Sequence, residues 1–301
     1  MRFLSIRHRI VTTAPRLTLL KSALLAISLM FPILSQAQWQ DPLETPALAT
    51  DRAHESLLLD ITRIASRLVA VGAHGHIVYS DDSGKSWRQA KTPSSVTLTS
   101  VHFPSATMGW AAGHDGIILH SSDAGETWVK QFDGYLANRA IVKGSRASKE
   151  LAIAALDKAK NTGDLTTIDN AEMHLENATY ALEDAQYDNK SGSTKPFLDV
   201  WFYDAKIGFA VGAYGMAFHT RDGGKSWIDW SSHLENSDRL HINGLTMVGP
   251  RSLMLVGEQG LILRSDDMGD SWRALPSPYE GSYFGIMAKA DNVLVFGLRG
   301  N

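Results

Sequence analysis

Four aspartates in this 301-residue chain recur in one chemical setting, each with a hydroxyl on either side. The stretches Ser80–Trp87, Ser121–Trp128, Thr220–Trp227 and Ser265–Trp272 all read Ser/Thr-x-Asp-x-Gly-x-Ser/Thr-Trp. Their key residues are Asp82, Gly84 and Trp87; Asp123, Gly125 and Trp128; Asp222, Gly224 and Trp227; and Asp267, Gly269 and Trp272. A carboxylate flanked by hydroxyls could ligate a cation or move a proton. An active site, however, needs its groups to converge on one reacting atom. One identical set per repeat is instead distributed around the fold. The boxes therefore read as turns. The carboxylate is expected to accept from backbone N–H groups two and three residues on. Glycine supplies a positive φ, and tryptophan an apolar plate to wedge between neighbouring repeats. No residue is assigned a catalytic, cofactor-binding or metal-binding role.

The histidines follow the same logic. His120 and His219 hold equivalent positions just before two boxes, which marks them as repeat residues rather than co-ligands. His74, His76 and His114 lie in or beside glycine turns. With no cysteine in the chain, there is no disulfide, thiolate site, thiol nucleophile or lipidated cysteine. Phosphate-loop and dinucleotide fingerprints are absent.

The elements that carry the boxes repeat as well. Each box follows a Gly-x-x-Gly at Gly72/Gly75, Gly113/Gly116, Gly212/Gly215 or Gly257/Gly260, and a fifth stands at Gly297/Gly300. The first glycines lie 41, 99, 45 and 40 residues apart. Three intervals fit a propeller blade of about 40–45 residues. The long one fits a blade plus an insertion. Each unit contains four short strand-like runs, in the second unit Leu98–Phe103, Gly109–Gly113, Ile117–Ser121 and Thr127–Gln131. The expected fold is all-β: a β-propeller of four-stranded blades with Asp-box turns. Four complete repeats and half of a fifth are present, so the second part reads as C-terminally incomplete.

The expected organisation is a signal peptide over 1–37, propeller over 38–134, an inserted α-helical hairpin over 135–192, and propeller again over 193–301. In the insertion, Ile168, Ala171, Leu175, Ala178, Leu182 and Ala185 form a heptad seam. The run Ser148–Lys160 is rich in Ala and Leu, and Asn161–Asp164 reads as a stop and restart. The first helix is mainly basic. The second carries Asp169, Glu172, Glu176, Glu183, Asp184 and Asp188. An antiparallel hairpin would set these opposite charges face to face.

The signal-peptide reading rests on a basic lead (Arg2, Arg7, Arg9, Arg16, Lys21), the uncharged apolar run Ser22–Leu34, and Ser35-Gln36-Ala37. Removing residues 1–37 leaves 24 basic against 32 acidic residues, a net charge of −8. Nonspecific nucleic-acid binding is disfavoured at that sign. The expectation is a soluble exported chain, periplasmic or extracellular.

The longer repeat unit carries a resemblance. Leu198–Phe202, Gly208–Gly212, Gly215 and Thr220–Trp227 form one pattern. Thr99–Phe103, Gly109–Gly113, Gly116 and Ser121–Trp128 repeat it. This unit resembles the photosystem II stability/assembly factor family (BNR/Asp-box repeat proteins), exported propellers of seven blades. The resemblance implies a non-enzymatic scaffold that binds a membrane-protein client during assembly or stabilisation. In photosynthetic members the client is a photosystem II subunit, the compartment is lumenal, and a basic patch makes the contact. The acidic balance of this chain and its helical insertion depart from that pattern. The alternatives are a sialidase-like or other carbohydrate-active hydrolase, or a ligand-binding sensor. The aromatic-Arg-Ile-Pro motif of sialidases is absent.

Overall fold

The computed structural model describes residues 40–289 and 292–300. The expected signal peptide lies outside them. The chain folds as consecutive antiparallel four-stranded sheets, the blades of a β-propeller. Blade 1 comprises β1 (Leu58–Ile64), β2 (Arg67–Gly72), β3 (Ile77–Ser80) and β4 (Arg88–Gln89). Blade 2 comprises β5 (Leu98–His102), β6 (Gly109–Gly113), β7 (Ile118–Ser121) and β8 (Val129–Phe132). Two helices follow, α1 (Gly134–Lys160) and α2 (Leu165–Ser191). Blade 3 is β9 (Phe197–Phe202), β10 (Gly208–Gly212), β11 (Ala217–Thr220) and β12 (Ile228–Asp229). Blade 4 is β13 (Ile242–Gly249), β14 (Ser252–Gly257), β15 (Ile262–Ser265) and β16 (Arg273–Ala274). A two-stranded sheet of β17 (Tyr283–Lys289) and β18 (Asn292–Gly297) packs on blade 4.

Burial explains the sequence of the central strands. β3 (Ile-Val-Tyr-Ser) and β11 (Ala-Phe-His-Thr) are buried at every residue, because both faces of the sheet are covered, β11 by a blade on each side and β3 by blade 2 and the segment before blade 1. Such strands read as continuous apolar runs rather than alternation. Along β6, β10 and β14, one set of side chains faces the preceding blade and the other the following sheet; along β2 the first set faces the segment before blade 1. Val69, Val71, Ile77 and Tyr79 pack with Val101, Leu119 and Trp128. Trp110 and Ala112 pack with Phe202, Phe218 and Trp227. Phe209 and Val211 pack with Leu255, Leu263 and Trp272. The outermost strands β4, β12 and β16 have only two residues, which limits the edge open to association.

The first glycine of each Gly-x-x-Gly is fixed by close approach rather than by φ, which is extended (−177° at Gly72). A Cβ would lie 2.1 Å from the Leu57 carbonyl oxygen at Gly72 and 2.0 Å from that of His241 at Gly257. These oxygens belong to the loop that brings the chain in from the preceding blade or segment. Glycine therefore lets the turn dock against the blade entry.

The outward face of blade 1 is covered by the segment before it, where Ala53 packs on Ala70, Val78 and Trp87. The β17–β18 sheet has no such cover among the described residues. Phe296 is 47% exposed and Leu294 57%, whereas their equivalents Val71 and Val69 in blade 1 are fully buried. An apolar sheet face beside an unpaired strand is an association hazard. The 301-residue polypeptide is expected to self-associate with rising concentration, and Phe296→Lys to suppress this. Sedimentation velocity checks it; a wild-type chain monomeric at all concentrations would contradict the reading.

Candidate functional site

Each box turn is held by its own hydroxyls. Asp82 Oδ1 accepts from Ser80 Oγ at 2.8 Å and from the Ser86 amide at 2.8 Å, while Oδ2 accepts from Ser86 Oγ at 2.6 Å. Asp123, Asp222 and Asp267 repeat the pattern with Thr127, Ser226 and Ser271. The first hydroxyl also accepts the glycine amide, at 2.8–2.9 Å in all four boxes. The geometry corrects two sequence expectations. The recurring short amide contact comes from four residues on, and the amide three residues on adds to it, at 3.1 Å from Glu126 to Asp123 and more weakly from Lys85 and Lys225 to Asp82 and Asp222. Two successive residues, not the glycine alone, have positive φ: Ser83 and Gly84, Ala124 and Gly125, Gly223 and Gly224, Met268 and Gly269. The chain must reverse between β-strands within the box, and a pair of left-handed residues matches the strand twist.

The donors hold Asp82, Asp222 and Asp267 below the usual carboxylate range, the serine hydroxyl being the largest cause in each. Asp123→Ala would leave Ser121 Oγ, the Glu126 and Thr127 amides and Thr127 Oγ without their acceptor. The expected loss is about 2 kcal/mol by urea denaturation, with Asp123→Asn milder because it keeps an acceptor oxygen. Equal losses for the two variants would speak against the hydrogen-bond account.

The box tryptophans divide by position. Trp128, Trp227 and Trp272 are buried in the joints between blades. Trp87 has no preceding blade and lies half-buried on the outer face of blade 1. His120 stands against Trp110 and His219 stacks on Phe209 at 4.3 Å, each within its own blade. His76 Nδ1 lies 3.2 Å from Ser56 Oγ. The four boxes are not brought together. Among the described residues, no three His, Asp or Glu side chains are arranged to hold a metal ion.

A second polar system was missed by sequence reading. The first strand of every blade is bulged at one register point, opposite its Gly-x-x-Gly. Polar side chains there tie each blade to the next. Asp60 Oδ2 accepts the Val101 amide at 2.8 Å. Thr99 Oγ1 donates to the Phe197 carbonyl at 2.8 Å. Ser100 Oγ donates to Asp199 Oδ1 at 2.7 Å, and Asp199 Oδ2 accepts the Leu245 amide at 2.7 Å. Asn243 Nδ2 donates to the Tyr283 carbonyl at 2.7 Å. Burial pushes the Asp199 carboxyl up to about 7, against the pull of its donors. The available signal was a polar residue at nearly the same distance before each of the first four Gly-x-x-Gly turns, within first strands that carry other polar residues too.

Connectivity sorts the loops onto two faces. In an up-and-down blade, the boxes join third to fourth strands at one end. The Gly-x-x-Gly turns and the links between blades lie at the other. The helical hairpin, inserted between β8 and β9, therefore stands on the turn face. Asp133 caps α1 by accepting the Leu136 amide, and Asp164 caps α2 through the Thr167 amide. α1 begins well before the Ala/Leu-rich run and passes through Gly144. The hairpin core is small: Leu156, Ala159 and Ala171, with Ile168 and Leu175 against them. Among the described residues no ion pair links α1 to α2. The expected charge pairing across the hairpin is therefore not made. Short seam residues bring the helices together, and the long charged side chains point away.

Between the hairpin and blades 3 and 4 lies a groove of about 650 Å³, lined in part by Gly144, Ser148, Ala185, Lys195, Tyr214 and Arg239. Tyr214 holds a left-handed φ of 57° and is 59% exposed. Its ring faces Lys195 Nζ at 5.6 Å and meets His241 edge-on at 4.8 Å. The equivalent turn positions His74, Asp115, Gln259 and Arg299 are left-handed too. Each presents a non-glycine side chain in a left-handed turn, as Ser83, Ala124 and Met268 do in the boxes.

Known proteins now place this arrangement. The sequence model of the family described as Photosynthesis system II assembly factor YCF48 matches residues 37–137 and 178–282, on both sides of most of the hairpin. The chain belongs to the YCF48 family. It is 24% identical over 273 residues to the photosystem II assembly lipoprotein Ycf48 of Synechococcus sp. (strain CC9902), covering 77% of this chain and 79% of that one. Among solved structures, YCF48 bound to a D1 peptide is similar at 15% identity and a TM-score of 0.45, over 87% of this chain. The WD40 β-propeller domain of Doa1 is similar at 10% identity and a TM-score of 0.48, over 85% of this chain. This chain spans 62% and 66% of those two, respectively. The Synechococcus relative is called a lipoprotein, whereas these 301 residues hold no cysteine to lipidate.

Proposed function

We propose that this protein is an exported, non-enzymatic scaffold that binds a membrane-protein client during its assembly or stabilisation. The observation that carries the reading is membership of an assembly-factor family through both propeller segments. A relative solved with a D1 peptide supports a membrane-protein segment as the kind of client. The basic lead, apolar run and small-residue site over 1–37 support export. Among the described residues no helix is long and apolar enough to cross a membrane.

The turn face is the surface we assign to the client. It carries the groove and the hairpin, and insertions on a rigid scaffold commonly carry function. The boxes on the opposite face act as structural turns in this reading, and the repeated carboxylates take no part in chemistry. The test is an affinity pull-down from host membranes, with the intact protein and with a variant lacking residues 135–192. Recovery of one integral membrane protein by the intact form, lost on deleting the hairpin, is the expected result. No specific partner for either form would overturn the proposal.

A further inference from the structure

The outer face of α2 has no partner among the described residues, and its composition specifies one. Met173, Tyr180 and Tyr187 are exposed at 51%, 56% and 72%. Seven-residue spacing places them on one line, drifting by only about 20° per step. The line spans about 21 Å at 1.5 Å per residue. It lies apart from the buried seam residues Ala171 and Ala185, so the hairpin's own packing does not need it. Methionine and tyrosine exposed in line are residues that interfaces favour, tyrosine for its large rigid area and methionine for its adaptable packing.

The charge around the stripe is mainly acidic, with Lys190, three residues after Tyr187, the cation at the C-terminal end of the helix. Asp169, Glu172, Glu176 and Glu183 are exposed beside it and make no ion pair among the described residues. Only Asp184 and Asp188, near the hairpin root, reach cations, Arg239 at 3.9 Å and Lys195. Glu176 does accept from the Tyr180 hydroxyl at 3.1 Å, which holds that ring along the helix. No α1 side chain forms an ion pair with these carboxylates among the described residues, and they are open to solvent.

We propose that this face docks a basic amphipathic segment of a partner protein. Its apolar side would cover Met173, Tyr180 and Tyr187, and its Lys or Arg residues would meet the flanking carboxylates. This is the helix-in-groove mode with charge selecting the partner. An anionic membrane surface is the wrong ligand for this field. The inference deepens the scaffold reading by naming the chemistry that the hairpin grips, and it rests on that reading.

The probe is a synthetic 20-residue amphipathic peptide with leucines on one face and lysines on the other, titrated calorimetrically into the intact protein. Its control replaces every lysine with glutamate. The basic peptide is expected to bind at least about tenfold more tightly than the control, with an affinity that falls as salt rises. Tyr180→Ser with Tyr187→Ser is expected to weaken it about tenfold. Glu172→Gln, Glu176→Gln and Glu183→Gln together are expected to flatten the salt dependence; circular dichroism of all variants guards against unfolding. Equal affinity for both peptides would overturn the proposal. So would binding indifferent to these substitutions, preferential binding to phosphatidylglycerol vesicles, or self-association abolished by the tyrosine changes. These failures would leave the membrane pull-down able to recover a client by another surface, so the two readings fall separately.

Discussion

Trp110→Ala is expected to destabilise the protein by about 3–5 kcal/mol, the usual cost of deleting a fully buried large aromatic. Trp110 has no exposed surface and lies at the joint between blades 2 and 3. Its ring stacks on Phe202 at 3.6 Å and 9°. Its indole N–H donates to Gln131 Oε1 at 3.0 Å, and Gln131 Nε2 donates to the Gly223 carbonyl in the next box. Truncation therefore opens a cavity between two blades and frees the glutamine that spans them. For a protein of this size the loss corresponds to a melting point lower by about 10 °C. Trp87→Ala is the informative comparison. Trp87 occupies a box position but is only half-buried and has no preceding blade, so about 1 kcal/mol is expected. Thermal melts of both variants decide it. Equal losses would mean that the joints between blades do not dominate stability.

That contrast shows what the sequence could and could not convey. The boxes were legible because every residue of the turn is contiguous and identical in kind, so Asp82 and Asp267 announce the same geometry 185 residues apart. The blades were legible because three of the four intervals between the turns fall at 40–45 residues. Trp110 was legible as a strand residue, but its fourth-blade counterpart is Met254, and nothing local distinguishes a joint filled by indole from one filled by methionine. The ties between first strands were not legible for a related reason. Asp60, Thr99, Ser100, Asp199 and Asn243 solve one geometric problem with four chemistries. Each bond joins residues 40 to 99 positions apart, and only the assembled blades show that they correspond. In the hairpin, spacing located the seam at Ile168, Ala171 and Leu175. Charge composition then misled, because opposite signs on two helices do not pair when alanines hold the backbones close and the long side chains splay outward.

Asp199→Asn is expected to remove a pH dependence that the native protein carries in its core. Burial raises the Asp199 carboxyl to about 7, against an unfolded value of about 3.9. Between these values the folded protein retains a proton that the unfolded chain has released. Stability from this group is therefore fully present below about pH 4 and is lost as pH rises towards 7. Two histidines act in the opposite sense. Burial lowers His102 and His219 to about 4, so the unfolded chain binds protons first as pH falls below about 6.5. Their contribution is present at neutral pH and is lost towards pH 4. The wild-type stability curve is consequently flatter than either effect alone, and the box carboxylates add a further loss only in stronger acid. The difference between wild type and Asp199→Asn isolates the carboxyl. An asparagine can still accept the Leu245 amide and turn its Nδ2 towards Ser100 Oγ, so the fold is preserved. From pH 5 to 7.5 the variant should gain about 2–3 kcal/mol relative to wild type, measured by urea unfolding at each pH. A constant gap would mean that Asp199 is ionised throughout this range. Its three donors, from Ser100, Val200 and Leu245, would then outweigh the cost of burial.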